Sequence, residues 1–261
     1  MEPFDELFFE SSLDGSREPY LLWLPPEGKA TALVVGLHTW SADRFNQAKP
    51  MLPFCAERGW ALLLPEFRGP NLTQNPRARE AGGSALARRD IVDATRQVLA
   101  TSFGDTNPQP PVFLVGGSGG GHMSLMVAAR EPFQWSAVSS WCPITDLAAW
   151  HRENGNYAPH IAAVCGGAPD ASEEIAAEYR ERSPIYYADS LARCRLLLAH
   201  GRHDQSVPFT HGWNMAQEIE RHGPREHFFY LFDGGHEAHL DHAFRFFDQT
   251  VRQQKQVGLT G

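Results

Sequence analysis

The chain has 261 residues, and its 31 Asp and Glu residues outnumber its 23 Lys and Arg residues, so the formal net charge at pH 7 is −8. An acidic balance argues against general nucleic-acid binding, which requires clustered basic side chains that displace counterions from phosphates. The sequence has no apolar stretch of about 18 residues that could span a bilayer, and it does not begin with the basic and apolar segments of a secretory signal. We therefore expect a cytoplasmic protein without a nucleic-acid or membrane partner.

Short apolar runs of strand length alternate with helical patterns along the chain. Strands are predicted, in chain order, at residues 20–24, 32–37, 60–64, 112–115, 136–140, 196–199 and 228–232. The run at 32–37 is apolar without interruption, which is typical of a strand buried on both faces of a sheet. Helices are predicted between the strands, and Ser84 has the position of an N-cap for one of them. The alternation predicts an α/β domain with a mostly parallel central sheet and helices on both faces.

One stretch interrupts this alternation. Between Pro143 and Arg193 the sequence has no clear strand and is rich in Trp, Tyr and His. A long excursion of this kind inside a compact domain usually serves a function, often as a lid or a pocket wall. We predict a single domain over residues 1–261, in which residues 144–193 form a small helical cap.

The pattern Gly-x-Ser-x-Gly occurs at residues 116–120, with Ser118 at its centre. Apolar strand residues precede it and a helical pattern follows, which is the strand–turn–helix context of a nucleophile elbow. Such a turn requires small neighbours, because the serine backbone is strained and lies close to the adjacent strand and helix. The alternative is a glycine-rich phosphate-binding turn, but no Gly-x-Gly-x-x-Gly continuation into an acidic ribose ligand and no P-loop lysine follow.

A serine nucleophile requires a base, and the base requires a group that orients it. Asp204 and His236 each follow a predicted strand, at the edge where parallel sheets place their active sites. We assign them as the acid and the base for Ser118. Asp146 is the alternative acid, and Asp233 is interpreted as a turn residue. Other histidines near predicted loops or the final helix are His38, His122, His200, His203, His239 and His242.

No metal site and no cofactor are predicted. The segment His236-Glu237-Ala238-His239 is superficially similar to the zinc motif His-Glu-x-x-His, but its second histidine comes three positions after the first instead of four. The cysteines are far apart and form no Cys-x-x-Cys pair, which favours buried thiols. They are Cys55, Cys142, Cys165 and Cys194.

The oxyanion that forms during acyl transfer requires backbone donors. We assign these to the N–H groups of Gly119, at the start of the helix, and of Trp40, in the loop His38-Thr39-Trp40-Ser41 after an earlier central strand. Residues with side chains suited to a substrate pocket are Trp141, Trp150, His151 and Tyr157, with Arg68 for a polar or anionic group. For each of these five residues, packing within the fold is the alternative interpretation.

Several segments together resemble the catalytic domain of the prolyl oligopeptidase family of serine peptidases and its esterase relatives. They are Glu66-Phe67-Arg68-Gly69, Gly116-Gly117-Ser118-Gly119-Gly120-Gly121-His122, Arg182-Ser183-Pro184, His200-Gly201-Arg202-His203-Asp204-Gln205-Ser206-Val207-Pro208 and Gly234-Gly235-His236-Glu237, and they span nearly the whole chain. The resemblance implies the α/β-hydrolase fold. It also assigns nucleophile, acid and base to Ser118, Asp204 and His236, in agreement with the assignment from the residues.

Departures from the family pattern favour a small ester as the substrate. Gly119 stands where many peptidase members have a large aromatic residue, and Thr39 stands where these hydrolases usually have glycine. We also expect a chain of this length to act without the β-propeller of the large peptidases. The sequence therefore predicts a serine hydrolase that cleaves a carboxylic ester of a small-molecule substrate through an acyl-enzyme. The alternatives are a small amino- or oligopeptidase of the same family and a non-catalytic binding protein on a hydrolase scaffold.

Overall fold

In the part of the chain that the structure describes, eight strands form one sheet in the order β1-β2-β4-β3-β5-β6-β7-β8. The structure is a computed structural model that describes residues 4–26, 30–104, 106, 108–224 and 226–258, so the predicted domain limits 1 and 261 lie outside the described residues. The strands are β1 (Asp5–Glu10), β2 (Arg17–Trp23), β3 (Leu33–Leu37), β4 (Ala61–Pro65), β5 (Val112–Gly117), β6 (Ala137–Trp141), β7 (Arg195–Gly201) and β8 (Glu226–Phe232). The helices are α1 (Ala48–Arg58), α2 (Ala85–Val98), α3 (Gly119–Arg130), α4 (Leu147–Glu153), α5 (Ala158–Cys165), α6 (Glu173–Glu181), α7 (Ala188–Leu191), α8 (Thr210–Arg221) and α9 (Leu240–Gly258).

Strands β3 to β8 are parallel, whereas β1 and β2 are added antiparallel at the β4 edge. The carboxyl ends of the six parallel strands therefore meet at one edge of the sheet. This arrangement confirms the predicted α/β fold with a mostly parallel sheet. The sequence did not predict β1, because only Phe9 of its six residues is buried and the strand therefore lacks an apolar run.

Alternate residues of the central strands face the two helical layers. Leu33, Val35 and Leu37 of β3 pack in one core cluster with residues of α2, α3, α7 and α8. Val34 belongs to a second cluster on the other face, with residues of α1 and α9 such as Phe244. The predicted N-cap of α2 is confirmed, since the Ser84 hydroxyl accepts a hydrogen bond from the N–H of Ala87. Among the described helices, none has both the length and the apolar character that a bilayer span needs.

The excursion between β6 and β7 consists of helices and turns in the structure. Helices α4, α5 and α6 build a third core cluster, which also contains Trp40 from the loop after β3 and Val207 from the loop after β7. The last part of the excursion packs differently, because Ala188 and Leu191 of α7 belong to the cluster of α3 and α8. The part that lies over the sheet edge is therefore α4 to α6, and it is attached through two loops that also carry predicted site residues.

Candidate active site

Ser118 lies in a tight turn between β5 and α3. Its φ is +56°, in the region that residues other than glycine rarely adopt. The turn is held because the N–H of Ser118 donates to the carbonyl of Trp141 at 2.8 Å. Glycine is required beside it: a Cβ added at Gly116 would lie 2.2 Å from the carbonyl oxygen of Gly120. The structure thus has the geometry of a nucleophile elbow, with the serine at the carboxyl end of a central strand.

Asp204 and His236 are brought together at the same edge. The Nδ1 atom of His236 lies 2.7 Å from Oδ2 of Asp204. The other oxygen, Oδ1, accepts the backbone N–H groups of Ser206 at 2.8 Å and Val207 at 2.9 Å. Both carboxylate oxygens of Asp204 are therefore bonded, and the aspartate has a fixed orientation towards the imidazole.

The surroundings keep Asp204 ionised. Burial acts to raise the pKa of Asp204. Three hydrogen bonds lower this pKa, and they come from the imidazoles of His200 and His236 and from the N–H of Val207. These bonds outweigh burial, so the pKa of Asp204 lies well below its ordinary range. An ionised carboxylate can only accept, so His236 donates from Nδ1 and leaves the lone pair of Nε2 available to take a proton.

His200, for which the sequence predicts no role, also lies at this site. It is fully buried, and its Nε2 lies 2.9 Å from the carbonyl of Val207 and 3.3 Å from Oδ2 of Asp204. His200 thus gives Asp204 a second imidazole contact. The available signal was its position four residues before Asp204, in the segment that resembles the family.

Contacts between neighbouring loops hold the His236 loop in place. The N–H of His203 donates to the carbonyl of Gly234 at 2.9 Å. The thiol of Cys142, at the end of β6, lies 3.3 Å from the carbonyl of Glu237. Burial raises the pKa of Cys142 to about 12, and the charge of Asp204 acts in the same direction. The thiol therefore stays protonated and donates to the carbonyl beside His236.

The two predicted oxyanion donors are adjacent. A Cβ added at Gly119 would lie 2.3 Å from the backbone nitrogen of Trp40, so any side chain at position 119 would displace that loop. Gly119 is the first residue of α3, where backbone N–H groups have no partner within the helix. The backbone nitrogen of Trp40 thus lies close to Gly119, the residue after Ser118, and this arrangement suits the two-donor oxyanion site that we expect.

Two depressions meet at His236. The first, which we call the Ser118 cavity, has a volume of about 190 Å³ and is lined by Ser118, His236, Trp141 and Cys142, among others. The second, which we call the polar groove, is larger, about 630 Å³. It is lined by residues 153–157, by His203, Gln205 and Ser206, and by Gly235 and His236. The described contacts include no Ser118–His236 hydrogen bond, which in ligand-free hydrolases often tightens only with substrate.

The structure divides the aromatic residues predicted for the pocket. Tyr157 lines the polar groove, and its hydroxyl lies 2.9 Å from the hydroxyl of Ser41. Trp141 lines the Ser118 cavity, but its side chain is buried and its indole N–H donates to Ser139. Trp150 was predicted to line the pocket, but it lines neither depression. It is buried under Tyr157, with the ring centroids 4.9 Å apart.

His151 and the alternative acid Asp146 are also placed elsewhere. His151, which was predicted for the substrate pocket, lines neither of the two depressions at His236; it lines a separate depression together with Asp170 and Tyr179. Asp146 serves as the N-cap of α4, where its Oδ1 accepts the N–H of Ala149 at 2.9 Å. Its carboxylate therefore stabilises a helix end, and Asp204 is the acid that reaches His236.

The prediction that Arg68 binds a polar or anionic part of the substrate is wrong. Its side chain is fully buried, and it bonds to Asp90, Asp14 and Glu80. Burial acts to lower the pKa of Arg68, but these hydrogen bonds outweigh it and hold the pKa above its ordinary value. The guanidinium joins the β1–β2 turn to α2 and has no donor left for a ligand.

We expect Arg68→Met to destabilise the fold by about 3–5 kcal/mol, because it leaves the carboxylate of Asp90 buried without its cation. Urea denaturation followed by circular dichroism measures the change. The control is Arg245→Ala, which removes an exposed i,i+4 pair with Asp241 and should cost less than about 1 kcal/mol. Equal stability of the two variants would contradict the structural role of Arg68.

One group of side chains has the spacing of metal ligands. Donor atoms of Cys142, Asp204 and His236 lie within 4.8 Å of one another. Asp204 and His236 are already bonded to each other, and the raised pKa of Cys142 disfavours the thiolate that a metal would need. The chemistry of these donors fits an acid–base pair better than a metal site.

Two curated proteins of the same name are similar to most of the chain. The acylamino-acid-releasing enzyme of Homo sapiens is 27% identical over 205 residues, which are 75% of this chain and 27% of that enzyme. The enzyme of Sus scrofa is 28% identical over 200 residues, 72% of this chain and 26% of that enzyme. The chain thus spans about a quarter of the length of these relatives.

Solved structures share the fold at lower sequence identity. The acylaminoacyl peptidase of Pyrococcus horikoshii superposes with a TM-score of 0.70 at 18% identity, over 90% of this chain and 38% of that one. A putative dipeptidyl aminopeptidase IV from Bacteroides ovatus gives a TM-score of 0.74 at 18% identity, over 94% and 35%. These similarities confirm the predicted α/β-hydrolase fold. The family model of the prolyl oligopeptidase family matches residues 50–256. The chain therefore belongs to the prolyl oligopeptidase family and is a serine hydrolase.

Proposed function

We propose that the chain is a serine peptidase that cleaves an amide bond near the amino end of small acylated peptides. The acylamino-acid-releasing relatives support a peptidase over the ester hydrolase that the sequence favoured. The proposal corresponds to the peptidase alternative from the sequence, and it adds that the peptide substrate is N-acylated.

The observation that supports it most is the composition of the polar groove. Among the residues that line it, Tyr157 is the one large apolar side chain, whereas Asn154, Asn156, Gln205 and Ser206 offer amide and hydroxyl groups. Such groups pair with the N–H and C=O groups of a peptide, whereas a site for a long acyl chain would be lined by apolar side chains. The groove therefore suits a short peptide.

We assign the chemistry as two-step acyl transfer. His236 takes the proton from Ser118 as the serine oxygen attacks the carbonyl carbon, and the oxyanion is held by the N–H groups of Trp40 and Gly119. Asp204 holds the imidazole and stabilises its charged form. The imidazolium then gives its proton to the amine as the C–N bond breaks. Water, deprotonated by His236, attacks the carbonyl carbon of the acyl-enzyme. The bond between that carbon and the Ser118 oxygen then breaks, His236 returns the proton to Ser118, and the carboxylic acid is released.

The proposal is tested with matched amide and ester substrates. We expect the enzyme to hydrolyse both p-nitrophenyl acetate and N-acetylalanine p-nitroanilide. The anilide has the poorer leaving group, an amine, which the imidazolium can protonate. The measurement is kcat/KM for each substrate. If the ester is turned over and no anilide hydrolysis occurs above that of the Ser118→Ala variant, the peptidase proposal is wrong and the ester prediction replaces it.

A further inference from the structure

The residues that line the polar groove, next to His236 of the triad, include a negatively charged side chain and no basic residue of the Lys or Arg type. Glu153, the last residue of α4, is the one carboxylate among the residues that line the groove, and none of those residues is Lys or Arg. The charge of Arg152 helps to lower the pKa of Glu153, but Arg152 is not among the residues that line the groove. Arg152 lines the separate depression that contains His151 and Asp170.

The carboxylate of Glu153 is held by a neutral imidazole. His211, from α8, is buried, and its Nε2 lies 2.9 Å from Oε2 of Glu153. Its Nδ1 accepts the backbone N–H of Thr145 at 3.1 Å, so Nδ1 has no proton and Nε2 is the donor. A neutral imidazole orients Glu153 without cancelling its charge. The hydrogen bond to His211 also lowers the pKa of Glu153, which keeps the carboxylate ionised.

A fixed carboxylate in a groove without cations favours a ligand that carries a positive charge. The side chain of Glu153 is 37% exposed, so part of the carboxylate remains accessible beyond its contact with His211. We infer that the polar groove binds the cationic side chain of a Lys or Arg residue of the substrate, with Glu153 as its counter-ion. The inference rests on the proposed function for the identity of the substrate, and it adds the charge that the substrate carries.

Binding is measured without turnover, by NMR titration of the Ser118→Ala protein. N-acetyl-lysine amide is compared with N-acetyl-norleucine amide, which has a similar side chain without the charge. Alanine amide is compared with N-acetyl-alanine amide, which lacks the α-ammonium. We expect N-acetyl-lysine amide to bind about fivefold more tightly than N-acetyl-norleucine amide, as for a partly exposed ion pair of about 1 kcal/mol. A preference in the alanine pair alone would mean that the groove binds a free α-ammonium, and it would overturn the inference.

The variant Glu153→Gln isolates the charge, because the glutamine oxygen can still accept the hydrogen bond from His211. We expect it to abolish the preference for the cation and to leave binding of the neutral ligands unchanged. The matched control Glu174→Gln removes an exposed carboxylate of α6 outside the groove and should keep the preference. Equal binding of charged and neutral ligands, or a preference that persists in Glu153→Gln, overturns the inference. If the cationic ligand is preferred but the wild-type protein hydrolyses no anilide, the proposed function is overturned and the inference about the groove is not.

Discussion

Replacement of Ser118 by alanine should lower kcat by about 10⁶-fold, because the variant loses the atom that forms the acyl-enzyme while the rest of the site remains. The elbow itself should survive. Its hydrogen bonds are made by the backbone N–H and carbonyl of Ser118, and alanine keeps both. Steady-state hydrolysis of N-acetylalanine p-nitroanilide measures the loss.

The matched control is Ser12→Ala, an exposed serine in the turn between β1 and β2, which should keep full activity. Circular dichroism establishes that both variants are folded. Retention of more than about 1% of activity by Ser118→Ala would contradict covalent catalysis at this residue, since the residual rate of such variants is orders of magnitude lower.

The variant Asp204→Asn should lower kcat by about 10⁴-fold through the wrong imidazole tautomer. The backbone N–H groups of Ser206 and Val207 already point at one side-chain oxygen, so the asparagine must keep its oxygen there. Its NH₂ group then faces His236 and donates to Nδ1. The imidazole proton is forced onto Nε2, and the base can no longer accept the proton of the nucleophile.

Asp233→Asn is the matched control for this substitution. Asp233 is exposed to solvent, and its carboxylate lies 2.8 Å from Nε2 of His203. Because solvent screens this charge, its loss should change kcat less than about threefold. The anilide assay measures both variants. Comparable losses in Asp204→Asn and Asp233→Asn would mean that the aspartate in the turn, and not the buried one, orients the base.

The fold was predictable because the parallel strands are buried on both faces. In β3, β5 and β7 nearly every residue is apolar, so the strands appear as uninterrupted runs whose order implies the crossovers. The meeting of Ser118, Asp204 and His236 follows from the same pattern, since each comes directly after a strand of one parallel sheet. Strand β1 was missed because an edge strand with five exposed residues has no such signature.

The substrate-pocket predictions were weaker for a physical reason. Arg68 follows a strand like the catalytic residues, but its carboxylate partners Asp14, Glu80 and Asp90 come from distant segments that no local pattern identifies. In the short helix α4 the periodicity is too brief to show which side faces the triad. Trp150 was therefore assigned to the pocket, with packing as the alternative, although it is buried. Glu153, three positions later, was not recognised as part of the groove.

The most direct test of the catalytic assignment is reaction of the wild-type protein with a fluorophosphonate, followed by mass spectrometry of the modified peptide. We predict one adduct, on Ser118, that forms rapidly in the wild type and in Asp233→Asn and very slowly in Asp204→Asn. An adduct on another serine, or no adduct on folded wild-type protein, would contradict the assignment of Ser118, Asp204 and His236 as a catalytic triad.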